Sequence, residues 1–282
     1  MHPAPSVILF STLSGMGFGI LAWLGFVDVI GAQAFAYYFI GYALAIGGLL
    51  FSVLHLGNKK NAIKAFREWR SSWLSREGIA SIAALLIVAV EAIARIFFGS
   101  SLGIIAWIGS AICLFTVFTT SMIYTQLKTV PRWNTKLTPP LFLGFCVVSG
   151  AMIFAKLIIV LIALIVLCVL QIAHWKIGDG AFAARGGSIE TATGLGHIGK
   201  VRLFEPPHDG ENYLLKEMAY TIGRKHAFKL RIIAIVFAFV LPALLVLISA
   251  PLALVVHLVG VLSSRWLFFA EAQHVVRHYY DR

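Results

Sequence analysis

The chain has 282 residues, 60% of them hydrophobic and 12% charged, with a mean hydropathy of +0.89. A soluble domain has no way to hide so much apolar surface, and the apolar runs reach the ~20 residues needed to cross a bilayer, so this is an integral membrane protein. The net charge of +11 arises from how lysine and arginine are distributed around those runs and gives no ground for a nucleic-acid partner.

The first run, 7–30, follows Met-His-Pro-Ala-Pro-Ser, which has neither a basic leader nor a small-residue cleavage site. It is expected to be a retained helix rather than a signal peptide. Further spans are predicted at about 34–56, 78–98, 102–126, 138–155, 157–175, 230–249 and 251–271. The block 139–175 is too long for one comfortable helix and holds a single charge, Lys156. Two spans turning at Ala155-Lys156 fit it better than one tilted helix. Pro242 falls inside the seventh run, where it removes one backbone donor and should kink the helix. The predicted fold is an all-α membrane bundle of about eight transmembrane helices, with one long polar segment over 178–229.

The loops 57–78, 127–137 and 176–231, with the C-terminal tail, hold 20 of the 23 lysines and arginines. Cytoplasmic loops carry that excess, so both termini and the three long loops are expected in the cytoplasm of a bacterial inner membrane. The 178–229 segment opens on the turn-prone Gly178-Asp179-Gly180, passes through Leu203-Phe204-Glu205-Pro206-Pro207-His208 as an extended piece, and reads as an amphipathic helix from Glu211 to Lys229. It is too short for a catalytic domain and long enough to grip a soluble partner.

Cys113, Cys146 and Cys168 all lie in apolar runs without CxxC spacing, and the chain has no nucleotide-binding or HExxH motif. A self-contained enzyme is therefore not expected. Neither is haem, since His257 alone sits well inside a span while His55 and His174 lie at span ends. Glu91 and Arg95 are spaced i,i+4 and can pair on one helix face, as a functional or a structural pair. Arg265 in the last span has no partner nearby in sequence and must find a carboxylate, a carbonyl or a ligand oxygen.

The stretch from Leu54 to Gly78 places His55 where one span ends and Glu77 where the next begins, with six cations and Trp69 and Trp73 between them. Two groups able to transfer protons thus share one water–lipid boundary, as quinone chemistry requires, because each ring carbonyl gains or loses a proton as electrons pass. From residue types alone, a helix-capping histidine and a glutamate facing the helix dipole are the better explanation of the pair.

The order of these motifs resembles the membrane-anchor subunits of the dimethyl sulfoxide reductase family. The likeness rests on Leu54-His55-Leu56-Gly57, Ala65-Phe66 and Leu74-Ser75-Arg76-Glu77, on Tyr124-Thr125, on Thr129-Val130-Pro131-Arg132-Trp133 with Thr138-Pro139, and on Arg265-Trp266-Leu267-Phe268-Phe269. The resemblance implies an eight-helix, haem-free anchor for a molybdopterin catalytic subunit and an iron–sulfur subunit, exchanging electrons with quinone. The family's quinone-site histidine and glutamate fall on His55 and Glu77, which favours the functional reading, with Arg76, Tyr124 and Trp133 as further candidates. The family's last helix carries an acidic residue one turn before the arginine, where this chain has Val261. The basic loops imply partners on the cytoplasmic face, docked by Lys59, Lys60, Arg67, Arg70, Arg132, Arg202, Phe204 and His208, with lipid phosphates as the default alternative for Lys59, Lys60, Arg67 and Arg70. The run Val201–His208, with Asn212-Tyr213-Leu214 and Arg224-Lys225-His226, resembles anchors of cytoplasm-facing sulfite-oxidising enzymes. Ubiquinone is the expected acceptor. An anchor for a sulfoxide, polysulfide or other oxyanion reductase is the alternative, and a small transporter, which would show internal repeats, is the rival from another class.

Overall fold

The computed structural model describes residues 2–54, 66–205 and 226–279. It is all-helical, without strands among the described residues. Its principal helices are α1 (Pro5–Leu24), α2 (Gly31–Leu54), α3 (Trp73–Phe97), α4 (Ile104–Thr125), α5 (Thr138–Phe154), α6 (Leu157–Ala184), α7 (Ala227–Leu245) and α8 (Ala250–Ala270). Seven are long and apolar enough to cross a membrane, and α5 is an apolar helix of 17 residues. Short connections make successive helices antiparallel neighbours. One end of the bundle, called the basic end below, therefore collects the 126–137 loop, the start of α3, and the ends of α6 and α8.

Of the boundaries that differ from the sequence reading, two matter for the site. α3 begins at Trp73, capped by the Ser72 hydroxyl, which accepts from the Ser75 N–H at 3.4 Å. Glu77 therefore lies inside the helix, not at its N-terminus, and is no dipole partner. α6 runs on to Ala184 through Gly178-Asp179-Gly180, a stretch read as a turn. A glycine there serves packing: a Cβ on Gly178 would meet Arg132 Cγ at 2.9 Å, so the helix needs glycine to admit that side chain. The helix expected over 211–229 falls largely outside the described residues.

α1 is the central helix, with buried residues along most of its length and packing against α2, α4 and α5. Lipid is as apolar as leucine, so helices inside a membrane associate through close backbone approach and polar bonds between them. Both are present. Gly19 lies so close to the Cys146 carbonyl of α5 that a Cβ there would collide with backbone. Trp23 Nε1 donates to the Val147 carbonyl at 2.9 Å, the Ser110 hydroxyl to Ala22 O at 2.6 Å, and the Tyr42 hydroxyl to Leu85 O at 2.6 Å. The outward faces carry exposed Ile158, Ile162, Ile165 and Val169 on α6 and Ile82, Leu86 and Ile93 on α3, as a lipid contact requires.

The proline in α7 acts through a local change of helix type. Val236–Val240 is a π-helical turn, and the Leu241 N–H reaches back to Val236 O. Pro242 has no N–H to give to Ala238 O, four residues earlier, and that carbonyl is instead bonded by His257 Nδ1 of α8 at 2.7 Å. His257, fully buried, thus staples α8 to the defect in α7.

Candidate functional site

Glu77 is buried at 3% exposure near the start of α3 and accepts a hydrogen bond from the Thr120 hydroxyl of α4. No cation pairs with it among the described residues. Tyr124, one turn beyond Thr120, lies within electrostatic reach of both Glu77 and Arg265. Its ring sits in an aromatic cage of Trp133, Phe142, Phe268 and Phe269, with centroids 5.4–5.7 Å away. Trp133 is buried, stacks on Phe268 at 5.5 Å, and donates its Nε1–H to the Phe268 carbonyl at 2.8 Å. It holds the 126–137 loop to the end of α8 and forms the outer wall of the cage.

Arg76 turns away from Glu77. Its guanidinium donates to Trp69 O at 2.9 Å and Arg70 O at 2.6 Å and lies 4.3 Å over the Trp73 ring. Below it runs an almost wholly apolar groove of about 520 Å³ between α3 and α4, lined by Trp69, Trp73, Arg76, Ala80, Ile112 and Phe115. Ala80, one turn from Glu77, is where the groove comes nearest the carboxylate in sequence. A cation and two tryptophans at the mouth of a greasy channel suit an amphiphile entering from the bilayer. His55 lies outside the described residues, as do Lys59, Lys60 and His208.

The other expected docking groups divide. Arg67, Arg70 and Arg202 are exposed, and Phe204, at 92% exposure, stands beside a cleft of about 780 Å³ with Arg202, Glu190 and His278. Arg132 does not belong with them. It is buried, donates to Asp179 Oδ1 at 2.9 and 3.0 Å, and forms an ion pair with Glu271. Arg231 completes a four-charge network, with Nε on Glu271 Oε1 at 2.8 Å and Nη1 on Asp179 Oδ2 at 2.8 Å. The network ties the 126–137 loop to α6, α7 and the end of α8. The loop is held inside the bundle because its arginine is charge-compensated there. At the opposite end Glu91 and Arg95 pair at 2.5 Å; Arg95 also bonds the Val27 carbonyl and Ser101, while Glu91 accepts the Leu102 N–H at 2.9 Å. That pair closes the α1–α2 and α3–α4 turns.

Six acidic or strongly basic side chains are buried among the described residues: Glu77, Glu91, Glu271, Arg95, Arg132 and Arg265. Four of them form Glu91–Arg95 and Glu271–Arg132. Glu77 and Arg265 remain, both within electrostatic reach of Tyr124. Arg265 lies flat on the Phe142 ring, 3.5 Å from its centroid, and its Nε has no hydrogen-bond partner. Sequence reasoning singled out Glu77 and Arg265 but missed Thr120, whose only signal is that α3 and α4 are consecutive antiparallel spans. It also missed Asp179, Arg231 and Glu271 as a network, because their partners lie far away in sequence.

The fold is thus a multi-pass helical bundle with a basic end, a buried carboxylate there without an ion pair among the described residues, and an apolar groove one turn along α3 from it. Residues 2–175 match the family model of the DMSO reductase anchor subunit (DmsC), and the chain belongs to that family. It is also similar to a sulfite dehydrogenase subunit of Allochromatium vinosum, 28% identical over 331 aligned positions that cover 100% of this chain and 99% of that one. No solved structure matches it. The family match ends at Trp175, so the end of α6, the segment after it, α7 and α8 are aligned only with the relative.

Proposed function

We propose that this chain anchors a molybdopterin and iron–sulfur oxidoreductase in the inner membrane, passing electrons from sulfite oxidised in the cytoplasm to ubiquinone. Membership of the anchor family supports the role, and the full-length likeness to a protein named as part of sulfite dehydrogenase favours sulfite. The observation that carries the quinone site is Glu77: a carboxylate buried without a cation, held by Thr120, one turn from an apolar groove topped by Trp69, Trp73 and Arg76. Burying an unpaired carboxylate is costly, and such residues inside a membrane are kept for function. The groove admits the isoprenoid tail and ring from the lipid, Glu77 exchanges protons at the ring, and His55 bonds one ring oxygen. Both termini face the cytoplasm, as the basic residues of the connecting loops indicate. The iron–sulfur subunit and, through it, the catalytic subunit dock on that face, where Arg67, Arg70, Arg202 and the bare Phe204 ring are exposed.

The test is purification of the tagged chain with whatever it binds, metal analysis, and sulfite-dependent reduction of decylubiquinone. Molybdenum, iron and an activity abolished by Glu77→Gln or His55→Ala are expected. Metals with activity only towards a sulfoxide or another oxyanion would keep the anchor and reject sulfite. A colourless, metal-free chain under conditions that preserve such complexes would overturn the proposal.

A further inference from the structure

Arg265 and His174 belong to one neighbourhood at the basic end, and each leaves a buried polar atom unpartnered. Arg265, 2% exposed, makes no hydrogen bond or ion pair among the described residues, and its Nε–H points at no acceptor. His174 is equally buried, and its ring stacks on Phe268 at 5.8 Å. The state of that histidine follows from its neighbours. The Thr138 hydroxyl spends its one proton on Trp133 O at 2.8 Å, so towards His174 Nε2, 3.4 Å away, it can only accept. His174 therefore carries its proton on Nε2 and presents Nδ1 as a lone pair, which is the second unpartnered atom.

The neighbourhood thus offers a fixed cationic donor and a neutral acceptor, set among the rings of Phe142, Phe268 and Tyr124. A lipid phosphate does not fit, because it accepts only and would meet a histidine that also only accepts. A flat aromatic ring with an oxygen that is a carbonyl in one redox state and a hydroxyl in the other fits both groups: the carbonyl takes the Arg265 donor, and the hydroxyl gives its proton to His174 Nδ1. We propose that Arg265 and His174 hold the second ring oxygen of the quinone. This rests on the quinone reading above. It also accounts for a guanidinium kept in the membrane without a counter-ion, which costs stability and which a hydrophobic side chain would avoid.

The experiment measures KM and kcat for decylubiquinone in the membrane-bound complex carrying Arg265→Met, Arg265→Lys, His174→Phe or Glu77→Gln. It adds the thermal midpoint of each purified complex. Loss of a charge-assisted hydrogen bond raises KM about tenfold or more in Arg265→Met, and Arg265→Lys recovers part of it. His174→Phe, which keeps the stack on Phe268, raises KM as well. Arg265→Met melts at or above the wild-type temperature, the reverse of what a structural arginine would do. Unchanged KM in both Arg265→Met and His174→Phe, with Glu77→Gln inactive, overturns this inference and leaves the quinone reading standing. A wild-type complex that does not reduce decylubiquinone, or a fully active Glu77→Gln, removes both. If Arg265→Met fails to assemble, Arg265→Lys and His174→Phe decide by the same KM criterion.

Discussion

Removing either carboxylate of the four-charge network takes one negative charge from the same pair of arginines, yet the two losses should differ severalfold. Glu271 has a side chain only 5% exposed and bonds Arg132 and Arg231, whose side chains are 7% and 24% exposed. Glu271→Ala leaves a buried guanidinium short of its partner, which costs about 3–5 kcal/mol. Asp179 also bonds both arginines, but its side chain is 47% exposed. Water replaces much of what Asp179→Ala removes, so the expected loss is about 1 kcal/mol. In a chain of this size the difference becomes a fall in thermal midpoint of roughly 6–20 °C for Glu271→Ala against roughly 2–4 °C for Asp179→Ala. The assay is intrinsic-fluorescence melting of the purified protein in one detergent at one scan rate, since unfolding of such proteins is irreversible and rate-dependent. Equal falls, or a larger one for Asp179→Ala, would refute the argument that burial sets the cost.

Two further outcomes follow from the packing. His257→Phe strands the Ala238 carbonyl freed by Pro242 and should destabilise by about 1–3 kcal/mol; adding Pro242→Ala, which restores an N–H to that carbonyl, should recover much of the loss, and a double-mutant melting cycle measures the coupling. Gly19→Val drives a side chain into the Cys146 carbonyl and should separate α1 from α5, seen as loss of assembled protein in a mild-detergent extract, whereas Gly15→Val, where a Cβ meets nothing within 4 Å, should leave the yield unchanged.

The eight helices were legible because a bilayer imposes length and apolarity on every span, and that signal needs no partner to be read. The break between α5 and α6 was equally legible, since Lys156 is the lone charge in its block and stands in the two-residue gap between the helices. Gly178-Asp179-Gly180 misled because in water two glycines around an aspartate signal a turn. Here Gly178 makes room for the Arg132 side chain, and Asp179 joins the ion network. Arg132 misled for a related reason: a loop arginine beside a proline reads as exposed, and its partners Asp179 and Glu271 lie 47 and 139 residues away. The position of Glu77 inside α3 rather than at its start was not legible, because the cap that starts α3 at Trp73 rests on a single serine. Thr120 stands among several hydroxyls of α4, and nothing along the chain distinguishes it until α3 lies alongside.

The placing of the buried charges argues that the basic end is built to leave two of them open. Glu91 and Arg95 show what the chain does when a charge only has to be neutralised: a partner is set four residues away on the same helix, and the spare hydrogen bonds go to the nearest turns. The equivalent position before Arg265 is Val261, itself buried, so the same device was available on α8 and is absent. Glu77 and Arg265 are an acid and a base that both lie within electrostatic reach of Tyr124, so a direct pair was the other available solution. The fold withholds it: neither group makes an ion pair among the described residues, and Arg265 lies over the Phe142 ring instead. Glu77 is thus left with Thr120 as its side-chain partner among the described residues, and Arg265 keeps an unpartnered Nε. In a membrane interior such burial has a continuing cost, which the proposed quinone would offset.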